Sequence, residues 1–131
     1  MIALDTNVLV RFFTQDDPVQ CRQTDEVMRS LSSSNPAWIG LAVLIELEWT
    51  LSRTYKVEHA SVLRALEDLL DRPEFRIEQI DAVMEALRAF RNGKAEFADC
   101  LIAASARSAR CTRTMTFDRI AARDAGMELI G

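Results

Sequence analysis

Four acidic side chains stand in apolar surroundings, where an ionised carboxylate is costly unless something compensates it. Asp5 directly follows Ile2-Ala3-Leu4, and Glu46 sits inside Leu44-Ile45-Glu46-Leu47. Asp99 lies in Phe97-Ala98-Asp99-Cys100-Leu101-Ile102, and Asp118 closes Thr114-Met115-Thr116-Phe117. Each also has a purely structural explanation. Asp5 can cap a helix, Glu46 can reach solvent or an arginine, Asp99 can share a solvated stripe with Glu96, and Asp118 can serve as a turn or cap residue. Taken together, four semi-buried acids converge on one spot only if a cation sits among them, because like charges otherwise repel and raise one another's pKa. All-oxygen donors without a companion Cys or His suit a hard divalent ion, Mg2+ or Mn2+.

The remaining chemistry is limited. His59 is the only histidine; it sits near a helix start and reads as a surface or capping residue. Without it no Ser/His/Asp arrangement exists, so the expected nucleophile is water activated by metal. Charge is segregated along the chain. Residues 1–87 carry 8 basic and 15 acidic side chains, net −7, whereas residues 88–123 carry 8 basic and 3 acidic, net +5. The basic stretch is almost all arginine, the side chain suited to bidentate phosphate contacts. A carboxylate pocket with arginines nearby points to metal-assisted phosphodiester hydrolysis, with Arg11, Arg88, Arg91 and Arg119 as candidate phosphate contacts. A net charge of −4 argues against a general nucleic-acid coating protein.

The acids need elements to place them. Ile2-Ala3-Leu4 reads as a buried strand, followed by a helix over 7–14 capped by Thr6 or Asn7. Asp16-Asp17-Pro18 opens a second helix reaching about Leu31. A strand is expected over Ala37–Gly40. The run 41–55 is apolar on nearly every side, the pattern of a core helix. Within it Glu48 is the rival of Glu46, but two helical steps turn it about 200° away, so Glu48 is expected to be an exposed, salt-bridging acid. Trp49, Tyr55, Phe12 and Phe13 read as core or partner-facing. Further helices are expected over 59–71, 79–91 and 95–109. Strands are expected over 75–77, 113–116 and near 128–129, with a short helix before the last. Alternating strands and helices predict an α/β fold, a three-layer α/β/α sandwich with a mainly parallel central sheet. Ligands of such sheets bind beyond the carboxyl ends of the strands, where Asp5 and Asp118 fall.

The chain of 131 residues, 49% apolar and 27% charged, has the composition of an ordinary globule and is read as one domain over 1–131. No apolar run approaches the ~20 residues that cross a bilayer, so no membrane association is expected, and the N-terminus lacks the features of a secretory signal. Three widely spaced cysteines, Cys21, Cys100 and Cys111, indicate a reducing cytoplasm rather than a zinc site or a disulfide scaffold.

The segments "LDTNVLVR" at 4–11, "IELEW" at 45–49, "EFADCLIAA" at 96–104 and "TFDR" at 116–119 together resemble the PIN domain, specifically the VapC-type toxins of bacterial toxin–antitoxin pairs. The resemblance runs along the whole chain. It implies a Mg2+- or Mn2+-dependent endoribonuclease acting on cellular RNA such as tRNA or rRNA, a homodimer, and inhibition by a cognate antitoxin. By that resemblance Asp5 and Asp99 are the main metal ligands, Glu46 holds a metal-bound water or ligand, and Asp118 contacts the metal directly or through water. Thr6, Asn7 and Thr116 orient the carboxylates, and Glu96 stands where relatives often carry Asp. Two other readings compete. One is a non-catalytic module that uses the acidic pocket for an ion or a basic peptide. The other is a haloacid-dehalogenase-like phosphatase built on Asp5-Thr6-Asn7, although that chemistry wants a second Asp where Asn7 stands.

Overall fold

The computed structural model describes residues 1–131. The chain divides into two compact units, Met1–Glu78 and Gln79–Gly131.

The first unit is built around three short parallel strands in the order β1-β2-β3: β1 (Ile2–Ala3), β2 (Ala37–Ile39) and β3 (Phe75–Ile77). Ile2 pairs with Ala37, and Ala37 in turn with Phe75. Between the strands run α1 (Thr6–Thr14), α2 (Pro18–Arg29), α3 (Leu41–Trp49) and α4 (His59–Asp71). Local chemistry sets their limits. Asp5, not Thr6 or Asn7, caps α1, accepting the Thr6 N–H at 2.7 Å. Asp17 caps α2 by accepting from the Gln20 N–H, with Pro18 as its first residue, where a missing N–H costs nothing. α3 has no cap of its own. The Glu78 carboxylate, just past β3, accepts the Leu41 N–H at 2.8 Å and holds that helix start. Gly40, between β2 and α3, lies close under Trp38: a Cβ would stand 2.9 Å from the Trp38 ring, which would have to shift. The fully buried side chains of this unit include Leu9, Ile39, Leu44, Leu47, Val62, Leu66 and Leu69.

Two expectations need correction. β1 is not a buried strand: Ile2 is half exposed, and burial begins at Leu4. The strand is an edge of its sheet, so part of its surface faces no neighbour. The 41–55 helix is not one regular helix either. It continues from α3 into a π-helical turn, Thr50–Thr54, closed by the Tyr55 N–H on the Thr50 carbonyl at 3.1 Å.

The second unit comprises α5 (Ile80–Asn92), α6 (Phe97–Ser108), β4 (Met115–Thr116), α7 (Arg119–Asp124) and β5 (Glu128–Leu129). α5 and α6 pack on each other. Phe90 and Phe97 meet edge to face at 5.7 Å between ring centroids, a favoured aromatic arrangement. β4 and β5 pair in parallel, Met115 with Glu128 and Thr116 with Leu129. The Asp124 carboxylate accepts the Lys94 N–H at 2.8 Å and so ties the α5–α6 turn to the end of α7. The α/β class and the parallel pairing agree with the expectation: every strand pair is parallel. No helix is long and apolar enough to cross a membrane.

Candidate active site

In the first unit two of the four expected acids face one cavity. Asp5 follows β1 and begins α1, and Glu46 stands on α3. Both line an open cavity of about 370 Å³ with Thr6, Asn7, Arg11 and Tyr55. The Thr6 hydroxyl donates to Glu46 Oε1 at 3.2 Å. Glu48 takes no part in the cavity. It is half-buried rather than exposed, and its Oε2 accepts from the Ser52 hydroxyl at 2.6 Å. Thr50 and Thr54 also line the cavity. They went unremarked in the sequence, yet they follow Glu46 at steps of four, a readable helical signal.

Arg11 forms part of the same wall and is held firmly. Its Nε donates to Gln20 at 2.6 Å, and its Nη1 donates to Tyr55 at 3.1 Å and to Asp16 at 3.3 Å. The Tyr55 hydroxyl donates to the other Asp16 oxygen at 2.9 Å. The bond from Tyr55, with the Thr14 hydroxyl and Arg11 beside it, holds the Asp16 carboxyl below its ordinary range. Tyr55 is thus a half-buried member of the cavity wall rather than a core aromatic. Trp49 is about half exposed.

In the second unit Asp99 lies in the first turn of α6, half-buried, with Glu96 at the cap position just before the helix. Burial pushes the Asp99 carboxyl above its ordinary range, and the negative charges of Glu96 and Asp118 push it the same way. Asp118 caps α7, its Oδ1 accepting the Ile120 and Ala121 N–H groups at 2.8 and 2.9 Å. The Thr116 hydroxyl accepts the Asp118 backbone N–H at 3.0 Å, so Thr116 fixes the backbone of that acid rather than its carboxylate. Arg88, Arg91 and Arg119 are exposed on this unit.

The expectation of four semi-buried acids fails on burial: only Asp99 is half-buried, and Asp5, Glu46 and Asp118 are exposed. Asp5 and Asp118 sit at element junctions, where the chain leaves a strand and carboxylates remain hydrated. Within neither unit do three or more His, Cys, Asp or Glu side chains gather in a group that could hold a metal ion. The donor chemistry nonetheless suits a hard divalent cation. The first unit offers two carboxylates and hydroxyls on one open cavity. The second carries mutually repelling carboxylates whose field a cation would relieve.

Comparison with known proteins places these residues in a family. Residues 2–126 match the PIN domain, a stretch that runs through both units. The chain belongs to the PIN domain family. A similar protein is the VapC ribonuclease of Aquifex aeolicus (strain VF5), 25% identical over 120 residues, which cover 91% of this chain and 88% of the relative. The α/β class expected from the sequence is therefore that of a PIN domain. Asp5, Glu46, Asp99 and Asp118 all fall inside the matched stretch.

Proposed function

We propose that this PIN domain is a Mg2+- or Mn2+-dependent endoribonuclease and the toxin of a toxin–antitoxin pair. The observation that carries the reading is the open cavity of the first unit, where Asp5 and Glu46 stand with the braced Arg11. The family and the ribonuclease relative support it.

The carboxylates that would bind metal are Asp5 and Glu46, on the open cavity of the first unit, and, within the second unit, Asp99 and Asp118. A bound divalent ion supplies Lewis acidity toward a phosphate oxygen and an activated water. The protein does the rest. Thr6 fixes the Glu46 carboxylate, and Thr116 fixes the Asp118 backbone. Arg11 offers a pre-ordered guanidinium to a phosphate, while Arg88, Arg91 and Arg119 are candidates for contacts along the strand. Glu96 adds negative charge beside Asp99 and raises its demand for a cation. Neither Asn7 nor any other residue gives the Asp5 segment the second aspartate of a phosphatase.

The proposal includes an RNA substrate of the tRNA or rRNA class, a cognate antitoxin, a homodimer, a cytoplasmic setting, and the whole of 1–131 working as one domain. The test is cleavage of RNA by the purified protein. Activity is expected with Mg2+ or Mn2+, to vanish with EDTA, and to fall to background in Asp99→Asn, with folding intact by circular dichroism. Full cleavage by Asp99→Asn, free of contaminating nuclease, would overturn the reading.

A further inference from the structure

A second cavity, of about 350 Å³, opens between α1 and α2 and is lined by Asn7, Arg11, Gln20, Gln23, Thr24 and Val27. Its size falls in the range of small-ligand sites, roughly 300–1,000 Å³. We propose that this cleft seats one nucleobase of the RNA strand beside the phosphate to be cut. The inference rests on the nuclease reading and deepens it.

Three observations carry it. First, the lining is rich in primary amides. Asn7 and Gln23 each offer a donor and an acceptor on one planar group, the combination that reads base edges. Gln20 uses its carbonyl oxygen on Arg11 Nε at 2.6 Å, which fixes the amide and leaves its NH2 donors for a ligand. Second, Val8 and Val27 add apolar surface to the same cleft, suited to the face of a ring. Third, Asn7 and Arg11 line both this cleft and the cavity of Asp5 and Glu46. A nucleotide with its base in the cleft would therefore present its phosphate to Arg11, at the boundary with the acidic cavity. Arg11 stands at the boundary with Nε and Nη1 engaged by Gln20, Asp16 and Tyr55, so its Nη2 donors remain for that phosphate. The hold by three side chains orders the guanidinium in advance, which lowers the entropic cost of binding.

The test uses the full chain, isotope-labelled and in EDTA, titrated by NMR with each of the four nucleoside 5′-monophosphates and with inorganic phosphate. Nucleotides are expected to shift the Asn7, Gln23 and Thr24 amides, with affinities that differ between bases. Phosphate alone is expected to act only around Arg11. Gln23→Ala is expected to weaken the preferred nucleotide by about fivefold or more, the loss of one base-edge contact. In cleavage of a randomised RNA pool, Gln23→Ala is expected to flatten the preference at one position next to the cut. Equal shifts from phosphate and nucleotides, or wild-type binding by Gln23→Ala, would overturn the proposal. So would a Gln23→Ala protein that binds and cuts normally but escapes a protein inhibitor, which would make the cleft a protein-docking face. Because the titration needs neither metal nor cleavage, base-selective binding without RNA cutting would sink only the nuclease reading. Cutting without base-selective binding would sink only the base site.

Discussion

At the scale of single residues, two acids have a double duty that governs how they should be tested. Asp5 caps α1 and Asp118 caps α7, so an alanine at either place removes a helix cap along with a carboxylate. Loss of a cap costs about 1 kcal/mol. Asparagine caps as well as aspartate but carries no charge. Asp5→Asn and Asp118→Asn are therefore expected to keep wild-type melting temperatures while losing metal-dependent cleavage, and the alanine variants to lose both. Calorimetry beside an RNA assay separates the two effects. Asp124 makes a different prediction. The Arg123 side chain, together with the Lys94 N–H, lowers its carboxyl from 3.8 to about 2. The folded protein thus holds this group ionised where the unfolded chain binds a proton. Its stabilisation is present above pH 3.8 and is lost as pH falls through about 2. In Asp124→Asn the urea midpoint should change less over that window than in the wild type. Cys100 shows the converse: burial first, then Asp99, pushes its thiol up to about 11, which leaves it inert as a nucleophile.

At the scale of elements, legibility followed local pattern. The helix at His59–Asp71 and the strand at Phe75–Ile77 lie where the sequence placed them, because an amphipathic run ended by Arg72-Pro73 is a complete local signal. Its buried face is Val62, Leu63, Leu66 and Leu69, with Leu70 only partly covered. The π-helical turn at Thr50–Thr54 carries no such signal. It ends at Tyr55, whose hydroxyl partner Asp16 is 39 residues away. Gly93 follows α5 directly, and packing restricts that position to glycine. A Cβ there would lie 2.8 Å from the Asp124 Cβ. Gly93→Ala is expected to destabilise the protein by about 1–3 kcal/mol, the usual cost of overpacking, visible in denaturant unfolding. An unchanged midpoint would mean that the turn yields freely.

At the scale of the whole molecule, the prediction concerns metal. Carboxylates that repel one another in the folded protein, as around Asp99, make the fold a binder of divalent cations and the unfolded chain a poor one. Mg2+ or Mn2+ should then stabilise the fold by mass action, by about 2.7 kcal/mol at a hundred times the dissociation constant, and so raise the melting temperature. Asp99→Asn should raise the melting temperature without metal and blunt the response to it. A wild type insensitive to saturating Mn2+ would speak against the metal assignment. The segregated charge, net −7 over 1–87 and net +5 over 88–123, should make RNA binding weaken steeply with added salt.

The order of the elements, the parallel α/β class and the identities of the candidate acids were set by the sequence, since periodicity, caps and misplaced charges are local properties of a chain. That only one of two glutamates faces the cavity also followed from helical geometry, and Glu46 stands there while Glu48 turns to Ser52. Tertiary structure alone decided the rest. Arg11 is gripped by Gln20, Asp16 and Tyr55, α3 is capped from Glu78, and three acids expected to be half-buried are exposed. Those facts depend on which distant segments meet, and the free energy of such meetings is shared across the packed whole rather than written in any one stretch of residues.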